Sequence, residues 1–141
     1  MSDRVFLDTN VLVYAAGSAG SDSQKFARAE NIVESGDFCI STQVLGEFVN
    51  TVQNSRKMAT PLTNVEVDAW LDRLLEFTDV ETDKELVTRA LFFQRRYRIK
   101  YWDAQIVAGA ERCRASALYS EDLSHTQVYG AIPCLNPFKD Y

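Results

Sequence analysis

Short apolar runs alternate along this chain with longer stretches in which apolar residues return every third or fourth position. The first run, Val5-Phe6-Leu7, leads into the polar trio Asp8-Thr9-Asn10, and Val11-Leu12-Val13 follow. A short apolar run bounded by polar residues predicts a buried strand, and the trio marks where the strand gives way to a turn or helix. Gly17-Ser18-Ala19-Gly20-Ser21 predicts a flexible loop. Residues 23–35 predict a helix, with Phe26, Ala29, Ile32 and Val33 on its apolar side and Gly36 as its stop. Phe38-Cys39-Ile40 predicts a second strand, and Ser41 or Thr42 caps the helix after it. In that helix Val44, Leu45, Phe48, Val49 and Val52 form an apolar stripe, and Glu47 sits at its border, sharing a face with Gln43.

The second half repeats this pattern. Thr63 and Glu66 have the spacing of a capping box, and Val67, Trp70, Leu71, Leu74 and Leu75 follow as a helical stripe. Residues 77–80 predict a third strand. Thr82 and Glu85 offer a second capping box for a helix running to about Tyr97. Another helix begins near Tyr101, has Asp103 in its first turn, and continues as an apolar, small-sided run that predicts burial. Residues 115–119 predict a fourth strand ending at Ser120-Glu121-Asp122, and 124–130 a turn-rich connection. Residues 132–135 predict an edge strand, because proline disfavours a central one. Alternation of strands and helices predicts an α/β fold with a parallel sheet covered on both faces. A length of 141 residues suits one domain, spanning 1–141.

Four acids stand at the ends of these elements. Asp8 and Asp122 each follow a strand directly, Glu47 lies early in a helix after a strand, and Asp103 opens a helix. Asp8 is equally readable as a helix cap, and Asp103 as a first-turn residue favoured by the helix dipole. Ligands in open parallel sheets bind beyond the carboxyl ends of the strands, so all four are expected to meet there. Converging carboxylates raise each other's pKa unless a cation fills the space between them, and an all-oxygen set selects a hard ion such as Mg²⁺ or Mn²⁺. Such an ion points to phosphoryl chemistry, and the absence of a Gly-rich phosphate loop counts against an NTPase. The one histidine, His125, reads as a loop residue.

Charge and cysteines add bounds. A formal net charge of -5 disfavours a nucleic-acid partner held by bulk charge, although Arg89, Arg95, Arg96, Arg98, Lys100, Arg112 and Arg114 crowd one stretch. Within it Arg95, Arg96, Arg98 and Lys100 read either as a solvated helix end or as holders of a nucleic-acid backbone. No aromatic residue reads as an exposed stacking platform. Cys39, Cys113 and Cys134 lack metal-ligand spacing; Cys39 and Cys134 read as small core residues, which suits a reducing cytoplasm. No signal peptide and no membrane span are expected.

Leu7-Asp8-Thr9-Asn10-Val11-Leu12 resembles the opening motif of PIN-domain ribonucleases. Glu47 within residues 41–48 resembles the family's second acid, Tyr101-Trp102-Asp103-Ala104 the third, and Ser120-Glu121-Asp122-Leu123 the last, with Asn136-Pro137-Phe138 as the tail. The likeness spans nearly the whole chain, and its size is most similar to VapC toxins of bacterial toxin–antitoxin pairs. The resemblance implies a three-layer α/β/α domain with a central parallel sheet of about five strands, and a Mg²⁺- or Mn²⁺-dependent endoribonuclease. It also implies a cytoplasmic homodimer restrained by a VapB-type antitoxin. By the same resemblance Asp8, Glu47, Asp103 and Asp122 bind metal and carry catalysis, and Thr9, Asn10 and Ser120 support them. Glu121 is an alternative participant beside Asp122, and Arg95, Arg96, Arg98 and Lys100 are candidates for holding the RNA. Other readings stay open: a non-toxin RNA-processing PIN nuclease, a non-catalytic RNA-binding scaffold, and an aspartate-nucleophile phosphatase or phospho-receiver. The last is disfavoured, because a haloacid-dehalogenase-type enzyme would want an Asp where Asn10 stands.

Overall fold

The computed structural model describes residues 3–17 and 22–139. The loop expected over residues 17–21 lies, beyond Gly17, outside them. Strands β1 (Val5–Leu7), β2 (Phe38–Ser41), β3 (Thr78–Val80), β4 (Leu118–Tyr119), β5 (Val128–Tyr129) and β6 (Ile132–Leu135) form one sheet in the order β3-β2-β1-β4-β6-β5. Every pairing is parallel except β5 with β6. The expected set of about five parallel strands is therefore present, and β5 adds a short antiparallel hairpin inside the stretch read as turn-rich.

Helices α1 (Thr9–Ala16), α2 (Ser23–Ser35), α3 (Thr42–Val52), α4 (Asn64–Leu75), α5 (Lys84–Tyr97) and α6 (Tyr101–Arg112) flank the sheet. α5 packs on α6, which lies across β1, β2 and β6; α1 packs on α2 and α3. Phe6 and Leu7 point to opposite faces of β1, yet both are fully buried, so both faces are covered.

Local chemistry sets the helix ends. Gly36 closes α2 in the left-handed region at φ 72°, a conformation glycine adopts without a Cβ penalty. Thr63 and Glu66 form the expected capping box on α4. The expected box at α5 does not form. Asp83, not Thr82, is its N-cap and accepts from the Leu86 amide at 2.9 Å, because a carboxylate beats a hydroxyl at a helix start and is also held by Arg112.

Three further expectations change. Strand β6 is not an edge: β5 pairs outside it. Cys134 both donates to Gln127 O and accepts from Thr126 N, so the hairpin uses the residue after Pro133 and loses nothing by the missing proline N–H. The fourth strand is also shorter than residues 115–119. Cys39 is not a free thiol: it is disulfide-bonded to Cys113 at the end of α6, which packing of α6 on β2 brings near from 74 residues away. Cysteine usage consequently lends no support to a reducing compartment. Cys134 is the buried free thiol expected.

Gly109 decides how closely α6 approaches the sheet. A Cβ there would lie 3.2 Å from Phe6 Cζ, on a fully buried ring. Gly109→Val is expected to lower stability by about 1–3 kcal/mol through overpacking. An unchanged midpoint in chemical denaturation would refute this close fit.

Candidate active site

Strand order reverses between β1 and β4: the chain moves outward from β1 through β2 to β3, then returns to the other side of β1. Asp8 follows β1 and Ser120-Glu121-Asp122 follows β4, so these residues flank the crevice that such a reversal opens.

Asp8 is the N-cap of α1 and is only 5% exposed. Oδ1 accepts from the Thr9 amide at 2.7 Å, and Oδ2 accepts from the Ser120 hydroxyl at 2.7 Å. The Asn10 side-chain amide donates to Asp8 Oδ2 at 3.4 Å and to Asp122 Oδ2 at 3.3 Å, tying the two acids together. Asn10 Oδ1 accepts from the Glu121 amide, and Ser120 Oγ accepts from the Asp122 and Leu123 amides, which shapes the turn after β4. Glu47 Oε1 accepts from the Thr9 hydroxyl at 2.7 Å. The two readings of Asp8 thus coexist, since one carboxylate caps the helix and faces the other acids.

Asp8, Glu47, Asp103 and Asp122 line a single cavity of 570 Å³, with Thr9, Asn10, Tyr14, Asn50, Thr51, Lys57 and Trp102. Lys57 is the only cationic residue among the described lining residues. Electrostatics follow. Burial, helped by the charges of Asp122 and Glu47, raises Asp8 to about 6 against the hydrogen bonds of Ser120 and Thr9. Burial raises Asp103 too, with Asp122 and Glu47 adding and Lys100 opposing. A cavity that makes its carboxylates harder to ionise is one that a cation stabilises.

The donor set suits a hard ion: carboxylate oxygens, with no thiolate or imidazole at hand. Among the described residues no three acid, His or Cys side chains are already drawn into a metal-ligating cluster. The acids line a cavity rather than a closed cage, an arrangement in which Mg²⁺ or Mn²⁺ would keep part of its water shell.

Other sequence candidates are placed elsewhere. Glu121 is not among the residues lining the cavity: it accepts from Tyr14 Oη at 2.8 Å and pairs with Lys25 at 2.6 Å. Arg95 and Arg96 are exposed beside Leu91 and Phe92 on α5, away from the cavity lining. Arg98 caps α5 in a left-handed conformation. Lys100 reaches the acids only through its charge on Asp103. Arg89 and Arg112 pair with Glu111 and Asp83, while Arg95, Arg96, Arg98 and Lys100 stay exposed. His125 accepts from the Asn136 amide in its turn.

Sequence reading missed Lys57, Trp102 and the buried Gln105. The expectation that no aromatic is exposed is wrong: Trp102 is 63% exposed and lines the acid cavity. Gln105 was signalled, being the polar residue in the buried run that follows Asp103. Nothing local marks Lys57, which lies in the turn after α3.

The PIN domain family model matches residues 5–131. The chain belongs to the PIN domain family. No curated protein matches it. Its fold is similar to a toxin–antitoxin complex from Klebsiella pneumoniae, at 19% identity and TM-score 0.66, covering 94% of this chain and 97% of that one. It is also similar to VapC20 of Mycobacterium tuberculosis, a sarcin-ricin loop cleaving toxin, at 20% identity and TM-score 0.63, over 84% of this chain and 89% of the other. VapBC2 from Rickettsia felis, solved on a promoter DNA fragment, aligns at 18% identity and TM-score 0.60 over 92% and 96%. At such identities the likeness is one of fold. No helix among the described residues of this PIN domain is long and apolar enough to cross a membrane.

Proposed function

We propose that this PIN domain is a divalent-metal-dependent endoribonuclease and the toxin of a VapBC-type pair. The observation that carries the reading is the gathering of Asp8, Glu47, Asp103 and Asp122 around one cavity at the strand-order reversal. These four would hold Mg²⁺ or Mn²⁺, which when bound lowers the pKa of water and offsets charge building on a phosphodiester. Thr9 and Ser120 orient Glu47 and Asp8 through the two 2.7 Å hydroxyl bonds, and Asn10 keeps Asp122 next to Asp8. Lys57 supplies a cation for an RNA phosphate entering the cavity. Arg95, Arg96, Arg98 and Lys100 serve more distant backbone contacts. A VapB-type antitoxin, a homodimer and cytoplasmic RNA complete the reading, supported by the fold-level likeness to toxin–antitoxin complexes.

The test is cleavage of single-stranded RNA by the purified chain. Mg²⁺ or Mn²⁺ is expected to switch cleavage on and EDTA to switch it off. Undiminished cleavage in EDTA would sink the metal assignment. Encoding next to a small DNA-binding protein that co-purifies with the chain and suppresses cleavage separates a toxin from an RNA-processing enzyme.

A further inference from the structure

Trp102 presents a large indole to solvent, 63% exposed, at the wall of the acid cavity and next to Asp103. Most large apolar side chains of this protein are buried or packed against its core, Trp70 among them. The position of Trp102 is closely held. Its backbone carbonyl accepts from Gln43 Nε2 at 3.1 Å, and its ring meets Tyr101 edge-on at 5.1 Å and 82°. Tyr101 Oη donates to the buried Gln105 at 2.8 Å, and Gln105 Nε2 donates to Gln43 Oε1 at 2.9 Å. Gln43 Nε2 also reaches Glu47 Oε2 at 3.4 Å. One hydrogen-bonded chain therefore fixes the backbone of Trp102 in register with two of the acids, Asp103 beside it and Glu47 on α3, and the edge contact with Tyr101 borders its ring.

We infer that Trp102 is a stacking platform for an unpaired RNA base adjoining the phosphodiester that enters the cavity. This rests on the nuclease reading above and adds what the site selects. An exposed aromatic at a cavity wall offers a flat apolar face, and every base offers a π-face to stack on it. That face is available only where the base is not already stacked within a helix, so the platform favours single strands and loops over duplex RNA. Lys57 in the same cavity complements it by meeting the backbone charge.

The chain has two tryptophans, so fluorescence separates them. In EDTA, where RNA stays intact, emission of Trp70→Phe, which retains Trp102, is expected to be quenched saturably by a short single-stranded oligoribonucleotide. Emission of Trp102→Phe, which retains Trp70, is expected to stay unchanged. Trp102→Ala is expected to weaken binding of a labelled oligoribonucleotide about tenfold by anisotropy, and Trp102→Phe to restore most of that loss. With metal added, the Trp102→Ala loss is expected in KM rather than kcat. Absence of quenching in Trp70→Phe, or equal binding by Trp102→Ala and the unaltered protein, would overturn the inference, as would equal quenching by duplex RNA. Quenching without metal-dependent cleavage would support the stacking surface and defeat hydrolysis. Cleavage that Trp102→Ala leaves untouched would defeat the stacking surface alone.

Discussion

Asp8→Asn is expected to abolish the proposed metal-dependent RNA cleavage and at the same time to make the metal-free protein more stable. The two effects have one cause. Asp8 is buried among other acids, and its pKa is pushed up to about 6 from 3.8. Holding it ionised at neutral pH therefore costs the fold up to about 3 kcal/mol, a cost that a neutral side chain removes. Part of that gain is lost again. The Asn amide group would face Ser120 Oγ, which already accepts from two backbone amides. A net gain of about 1 kcal/mol, or roughly 3 °C in Tm, is expected in EDTA. Activity should fall by at least about 10²–10³-fold, the scale of losing one preorganised electrostatic contact. A variant with unimpaired metal-dependent cleavage, or one that unfolds well below the unaltered protein, would contradict this account of Asp8.

Acid pH should act on activity and stability in opposite directions. A carboxyl whose folded pKa is raised binds more protons folded than unfolded, so its contribution is full below about pH 4 and is lost as pH rises through about 6. Asp103 shifts in the same direction for the same reason. The balance for Asp8→Asn should accordingly shift with pH, from a net loss of about 1 kcal/mol at pH 4, where only the mismatch at Ser120 is felt, to the net gain of about 1 kcal/mol by pH 7. Cleavage should behave inversely, falling about tenfold per pH unit below 6 as Asp8 takes up a proton. More Mg²⁺ or Mn²⁺ should move that falling limb to lower pH, because the ion competes with the proton for the same oxygens. A pH–rate profile flat from 7 to 4, or a limb indifferent to metal concentration, would show that Asp8 is not the group titrating.

Strands β1 and β2 and helices α2 to α6 are legible because their apolar positions repeat with the period of each element, and periodicity is a local property. The convergence of the four acids was legible for a related reason. Each sits at an element's end, and parallel strands carry their carboxyl ends to one edge. Trp102 was not legible, since an aromatic beside an apolar run resembles a core residue, and only the orientation of α6 turns it outward. Asp83 rather than Thr82 caps α5, and Arg112, 29 residues away, adds to its hold there. Likewise, β6 loses its edge position because a two-residue strand too short to show periodicity pairs outside it.

By itself the sequence determined most of the segments that become strands and helices, β5 excepted, and that carboxylates stand where those segments end. Both follow from burial of apolar positions at short range, which each stretch encodes independently. Only the tertiary structure decided that Lys57 and Trp102 join the acids, that Glu121 pairs with Lys25, and that Cys39 meets Cys113. Those outcomes depend on how α3 and α6 lie across the sheet. That packing is a sum of many weak contacts between residues distant in the chain, and no local pattern carries it.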